Sequence, residues 1–351
     1  MKLENISKQI SKWFDGSGPH SDIVISSRIR LARNIAGYEF LPRLKPDRQA
    51  EILEKLKTAI LSVNLGEEVF FIDVAESSTL EQDLMVERHL ISHRHARGQG
   101  PRGAVIAGVE SFTAMINEED HLRLQVFKNG LQLTECLQEI NKIDDEIEKQ
   151  VEYAFSPKYG YLTACPTNLG TGIRVSVMLH LPALKMTGQI EKFFNATGDT
   201  DLTVRGLFGE GTEAIGDFYQ LSNQITLGVS EEQIVDEFNN DIVPKIIDYE
   251  TLAREELLSS QKAVLDDKIQ RAMGVLKSAR LISSQEALFL LSNVRLGVNL
   301  GRITDIDIST VNELFMLTQP AHLQINNQKI LDPEQRDTVR AEIIRARLSA
   351  K

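Results

Sequence analysis

Excess positive charge is the first thing this sequence lacks. Lysine and arginine total 39 against 50 acidic residues, a formal net charge of −11, which argues against a general surface for nucleic acid or anionic membrane and leaves room only for a local basic pocket. Cysteine is scarce too, with Cys136 and Cys165 alone. Two thiols make no disulfide framework and suit a reducing compartment, so the cytoplasm is the expected location. No stretch approaches the roughly 20 apolar residues of a bilayer span, and the N-terminal MKLENISKQISKWFDGSG is polar and amphipathic without an apolar secretory core. Export and membrane insertion are disfavoured. The commonest phosphate-binding signals are also missing: there is no G-x-x-x-x-G-K-[ST], no strand-borne G-x-G-x-x-G and no H-R-D or D-F-G set, which excludes a P-loop or eukaryotic-type kinase.

What is present is an ordinary globular composition, 42% hydrophobic and 25% charged, in a chain of 351 residues. That length exceeds what one core usually serves, so a main domain plus a smaller unit is expected. Apolar spacing predicts a helix over 46–63, entered through a proline, and a second marked by Leu131, Leu133, Leu137, Ile140, Ile143, Ile147 and Val151. Between and after them lie strand-like runs at Ser21–Ile29, Glu68–Val74, Ala104–Val109, Leu122–Phe127, Tyr161–Cys165, Val175–Leu181, Leu202–Leu207 and Phe218–Leu227. Hairpin-like spacing predicts an antiparallel sheet, and clustered strands with a few long helices predict an α+β domain rather than a βαβ repeat. From Ser230 onward the text is helical, with amphipathic runs at 230–248, 249–280 and 284–296 and a last helix opening at Asp332-Pro333-Glu334. The expected division is 1–250 and 251–351.

The chemistry-bearing candidates are arginines in strands and glycine-bounded turns: Arg28, Arg30, Arg123, Arg174 and Arg205. Strand alternation puts Arg28 and Arg30 on one face, where two guanidinium forks can grip adjacent phosphate oxygens. Each arginine alone reads more readily as one half of a surface salt bridge. The cluster Asn117-Glu118-Glu119-Asp120-His121 and the turn Gly209-Glu210-Gly211 supply carboxylates that could clamp a guanidinium and accept its proton; each also reads as a solvated acidic loop. Cys165 is expected at a strand end before Pro166. His89, His93 and His95 have no cysteine or acidic residue to complete a zinc spacing, so no protein-held metal is expected.

Taken in order, VISSRIRLARNIAGYEF, NEEDHLR, CPTNLGTGIR and RGLFGEGTEAIGDFYQLSN resemble the successive signatures of the phosphagen (guanidino) kinase family, the creatine and arginine kinases. The resemblance implies ATP with Mg2+, the nucleotide being held around Ser26, Ser27, Arg28, Ile29, Arg30, Arg123, Arg174, Val175, Ser176, Val177, Met178, Arg205, Gly206, Leu207, Phe208, Gly209 and Glu210, with His89 bordering the adenosine. It further implies that Glu119 and Glu210 clamp the acceptor guanidinium and that Cys165 tunes the electrostatics beside it.

Two departures narrow the resemblance. Small-guanidine members begin with a helical domain that closes over free creatine or arginine, whereas here SSRIR begins at Ser26 and a helical region follows the catalytic signatures instead. Both features are similar to the bacterial McsB-type protein arginine kinases, and Arg336, Asp337, Thr338, Val339, Arg340 and Ala341 resemble their phosphoarginine-binding RDxxRA motif. That subfamily implies arginine side chains of proteins as substrates, a heat-shock repressor among them. It also implies an activator protein, a Clp protease acting downstream in stress response, and a homodimer. A free-arginine kinase and a non-catalytic phosphoarginine-binding adaptor are the alternative readings.

Overall fold

The computed structural model describes residues 3–197, 202–206 and 215–349. Its centre is an eight-stranded sheet in the order β2-β3-β4-β5-β1-β8-β10-β9. The strands are β1 (Val24–Arg33), β2 (Val69–Asp73), β3 (Gly103–Ala107), β4 (Phe112–Ile116), β5 (Leu122–Asn129), β8 (Ile173–His180), β9 (Leu202–Gly206) and β10 (Phe218–Asn223), while β6 (Phe155–Ser156) and β7 (Gly160–Tyr161) form a separate two-stranded ribbon. Every pairing is antiparallel, as the strand spacing predicts. In β1, Ile29 and Leu31 are fully buried on one face while Arg28 and Arg30 are half-buried on the other, so the period of two decides which side faces the core and which the site.

Helices cover the apolar face. In α2 (Pro46–Ser62), after α1 (Leu3–Ile6), a proline at the first helical position is tolerated because its missing N–H would have no helical acceptor there; Ile52, Leu56, Ala59 and Ile60 are buried. Short helices α3 (Thr79–Glu87) and α4 (His93–Ala96) precede the amphipathic α5 (Leu133–Glu148), which buries Leu133, Cys136, Leu137, Ile140, Ile143 and Ile147 at three- and four-residue spacing. Further along are α6 (Pro182–Met186), α7 (Ile190–Thr197) and α8 (Glu231–Glu237).

A wide, π-type turn at Phe238–Ile242 leads into α9 (Val243–Ser260), whose second residue is Pro244; proline cannot donate to the preceding turn, and the ladder loosens there. The expected run 249–280 is broken at Gln261 into α9 and α10 (Lys262–Ser278). The C-terminal helices are completed by α11 (Ser284–Asn299), α12 (Ile308–Leu317), α13 (Pro320–Asn326) and α14 (Pro333–Ser349). They join the sheet through buried charge. Arg295 donates to Ser21 O at 2.6 Å and Asp22 O at 3.0 Å, and Glu87 on α3 accepts from the first free N–H groups of α13, Ala321 N at 2.7 Å and His322 N at 3.1 Å.

Candidate active site

Four strands bring five arginines to one cavity of about 440 Å3, lined by Arg28 and Arg30 from β1, Arg123 from β5, Arg174 from β8 and Arg205 from β9, together with His89, Glu118, Glu119, Cys165 and Gln220. Ladder register explains the convergence: Arg30 lies directly across from Arg174, and Arg123 pairs with Ala32 on the other side of β1. Partners fix several of the forks. Arg28 donates Nη2 to Gln220 Oε1 at 2.7 Å and lies over the Phe127 ring, Arg174 donates Nη2 to Ser222 Oγ at 2.9 Å, and Arg123 donates Nη1 to Glu118 Oε2 at 3.0 Å.

The cluster is electrostatically uneasy. Burial and then Arg123, Arg174 and Arg205 lower the Arg28 pKa to about 9; Arg30 is pushed well down by burial and by Arg28, Arg123 and Arg174, with Glu118 opposing. The Nε atoms of Arg30 and Arg123 are buried with no hydrogen-bond partner among the described residues. Buried cationic donors aimed at a shared space fit a polyanion such as the phosphates of ATP, which would relieve the repulsion and complete the hydrogen bonding. A larger groove of about 1010 Å3 between β2 and α13 holds none of these arginines and presents Asp73, Glu76 and Glu81, the wrong sign for phosphate.

The β4–β5 turn supplies the acidic side. Asn117 sits at φ 60°, a left-handed conformation that asparagine tolerates, and its N–H donates to His121 O at 2.9 Å, so Glu118 and Glu119 stand at the turn's tip. Burial pushes the Glu118 carboxyl up, but Arg123, the Ser92 hydroxyl and His95 together hold it below its ordinary range. Glu119 reaches the cavity mouth. Asp120 turns inward and accepts from Asn34 Nδ2 at 2.6 Å and Ala164 N at 2.7 Å, which ties the acidic turn to the loop carrying Cys165.

That loop corrects the expected strand at Tyr161–Cys165. Only Gly160–Tyr161 is extended in a ladder, because the Ala164 N–H is taken by Asp120 and Pro166 opens a 3-10 turn for which Cys165 is the cap. Cys165 nevertheless lines the cavity, its Sγ 3.0 Å from Thr167 Oγ1. The two turn glycines of CPTNLGTGIR serve close packing: a Cβ at Gly170 would lie 2.2 Å from Thr226 O, and one at Gly172 2.6 Å from Ala32 O.

Strand alternation also sorts the expected nucleotide contacts. Ser26, Ser176 and Met178 border a small cavity beside Trp13 and His89 that shares Arg28 and Gln220 with the main one. Ser27, Ile29, Val175 and Val177 do not reach it. Their side chains are fully buried on the opposite face, where the Ser27 hydroxyl donates to Gly130 O at 2.8 Å. His89 lies at φ 59° edge-on to Trp13, and burial, Arg28 and His93 lower its pKa to about 3, so it is neutral. Gly206 is buried beside Tyr219; Leu207, Phe208, Gly209 and Glu210 lie outside the described residues. Ser92, Arg94 and Gln220 line the cavity although no sequence pattern marks them, because what identifies them is proximity across strands and turns; Glu118, part of the acidic cluster read from the sequence, pairs with Arg123.

The RDxxRA segment occupies α14, away from the cavity. Arg340 is 1% exposed and donates Nε to Thr318 O and Nη1 to Ile282 O, both at 2.8 Å, and Nη1 to Asp337 Oδ1 at 2.5 Å. Arg336 donates Nη1 to Leu331 O at 2.8 Å, and Thr338 donates Oγ1 to Glu334 O at 2.9 Å. Ala341 is buried and Val339 half-buried.

Comparison with known proteins agrees with this geometry. Residues 51–253 match the ATP:guanido phosphotransferase C-terminal catalytic domain, and residues 262–351 match the protein-arginine kinase McsB C-terminal domain. A protein-arginine kinase of Halothermothrix orenii is 44% identical over 98% of this chain and 98% of that one. Among solved structures, lombricine kinase superimposes with a TM-score of 0.58 and 28% identity over 67% of this chain and 68% of that one. The duplicated taurocyamine kinase of Schistosoma mansoni, with bound transition-state-analogue components, gives 0.62 and 26% identity over 68% of this chain, which spans about a third (34%) of its length.

Proposed function

The chain belongs to the ATP:guanido phosphotransferase family, and from that premise we propose that it is an ATP-dependent protein arginine kinase, moving the γ-phosphoryl group of ATP to arginine side chains of proteins. The observation that carries the reading is the convergence of Arg28, Arg30, Arg123, Arg174 and Arg205 on a single cavity with Glu119 at its mouth. The arginines neutralise charge on the transferring group, which in phosphoryl transfer supplies most of the catalysis together with positioning. Glu119, with Glu210, orients the acceptor guanidinium and takes its proton as the P–N bond forms. Mg2+ enters with the nucleotide and supplies further charge neutralisation. Cys165 borders the acceptor, and His89 with Trp13 borders the adenosine.

The same reading divides the chain into a catalytic part, 1–250, and a helical part, 251–351; the division falls within α9. Phosphoarginine recognition by residues 336–341 rests chiefly on Arg336 and Asp337, the latter 35% exposed, with Arg340 as the buried strut that positions Asp337. From relatedness alone we infer cytoplasmic action in stress response, an activator protein, a heat-shock repressor among the substrates, Clp protease downstream, and a homodimer. The carboxylate assignment is tested by Glu119→Gln: protein-arginine phosphorylation falls roughly 10²- to 10⁴-fold with ATP affinity retained. Unchanged turnover would remove Glu119 from the mechanism.

A further inference from the structure

The carboxylate assigned to the substrate's guanidinium already holds a guanidinium. Arg94 donates Nη1 to Glu119 Oε1 at 2.7 Å, while its side chain remains 60% exposed, and it lines the same cavity as Arg28 and Cys165. The contact is built from behind. Arg94 belongs to the single turn α4, whose cap, the Ser92 hydroxyl, accepts from His95 N at 3.0 Å and donates to Glu118 Oε1 at 2.6 Å. Ser92 thus ties α4 to the very turn that carries Glu119, so Arg94 is delivered to that carboxylate by a fixed linkage. The Arg94 side chain stays largely in solvent, free to be displaced by an incoming arginine.

We propose that Arg94 is a tethered stand-in for the acceptor: it occupies Glu119 until an arginine of a protein substrate displaces it, and so sets the threshold affinity for acceptors. The proposal rests on Glu119 being the acceptor clamp. With Arg94 on Oε1 a second guanidinium cannot take both oxygens of Glu119 as a fork, so an acceptor gripped bidentately binds only to the fraction of molecules in which Arg94 has swung out. Its apparent dissociation constant rises by the inverse of that fraction. A side chain on the same chain competes at high effective concentration. Free arginine, with one guanidinium and few other contacts, must overcome that competition unaided, whereas a protein segment adds contacts outside the cavity. The stand-in thereby favours protein acceptors over the free amino acid, a discrimination obtained by opposing the weaker binder.

The test compares the full-length wild type with Arg94→Ala, Arg94→Lys and Glu119→Gln, measuring KM and kcat for an arginine-rich protein and for free arginine at saturating magnesium–ATP. An exposed ion pair shifts an equilibrium by a factor of roughly two to five. Arg94→Ala is therefore expected to lower the acceptor KM by about that factor, a larger change than in the KM for ATP, and to raise the rate with free arginine at concentrations below its KM. Arg94→Lys, a point charge without the fork, falls between. High ionic strength narrows the gap between wild type and Arg94→Ala by screening the pair. An acceptor KM that is unchanged or raised in Arg94→Ala, with Glu119→Gln inactive, overturns the stand-in alone; a fully active Glu119→Gln overturns the acceptor assignment beneath it.

Discussion

Arginine does opposite work at the two ends of this molecule. Around the cavity, Arg28 and Arg30 are crowded by their own kind, and the Nε atoms of Arg30 and Arg123 are buried without a partner among the described residues. On α14, Arg340 is more fully buried, yet its Nε and Nη1 are matched by Thr318 O, Ile282 O and the Asp337 carboxylate. The first arrangement costs the empty protein free energy that an anion returns. The second is a strut that holds α14 against the carbonyls of residues 282 and 318. A motif gives only the residue type; whether an arginine binds or braces depends on which acceptors the fold has already placed around it.

Substitutions separate the two cases. Arg30→Met should lower kcat/KM by roughly 10²- to 10³-fold, the cost of removing one preorganised donor. Its unfolding midpoint in urea should be equal to or higher than that of the wild type, because a repelled, desolvated charge has been removed. Arg340→Met should do the reverse to stability. With two carbonyls and Asp337 left unsatisfied, it should lose about 2–4 kcal/mol in chemical denaturation. Were Arg340→Met to lose phosphoarginine binding while keeping full stability, the strut interpretation would fail.

Acid probes the same contrast. Burial foremost lowers His89 to about 3 and His95 and His121 to about 4, whereas in the unfolded chain they titrate near 6.5. Between those values the unfolded chain binds protons that the folded one does not. Stability therefore falls as pH drops from about 6.5 towards 4, by up to about 1.4 kcal/mol per pH unit for each histidine. Asp120 and Glu250, raised by burial, oppose the loss at the acid end. His89 lines the cavity, His95 stands in α4 and His121 closes the β4–β5 turn, so hydrogen exchange near pH 5 should loosen that turn before α14. The smallest effect is expected from Arg336→Ala, which changes stability by less than about 1 kcal/mol while weakening phosphoarginine binding, measured by titration with a phosphoarginine peptide.

Much of the site is legible in the sequence wherever a strand alternates. Arg28 and Arg30 read as one face of β1, and they are. The same rule, applied along 26–30 and 174–178, separates Ser26, Ser176 and Met178 from the core-facing Ser27, Ile29, Val175 and Val177, which a contiguous reading merges. β4 leaves no such mark: all five of its residues are buried, so no alternation shows. α12 and α13 lie in text without a long amphipathic run. Arg94 and Gln220 could not be found by pattern at all, since Arg94 meets Glu119 25 residues away and Gln220 meets Arg28 192 residues away. The strand expected through Cys165 does not form for a related reason: the N–H of its neighbour Ala164 goes to a side chain, Asp120, from a distant turn.

The account stands or falls on where the phosphoryl group goes. Incubating the purified chain with γ-labelled ATP, magnesium and either free arginine or an arginine-rich protein, then treating the products with acid, reads this directly. Acid-labile label on the protein, with little on free arginine, is the predicted result; label on free arginine in preference to protein, or on neither, would contradict it.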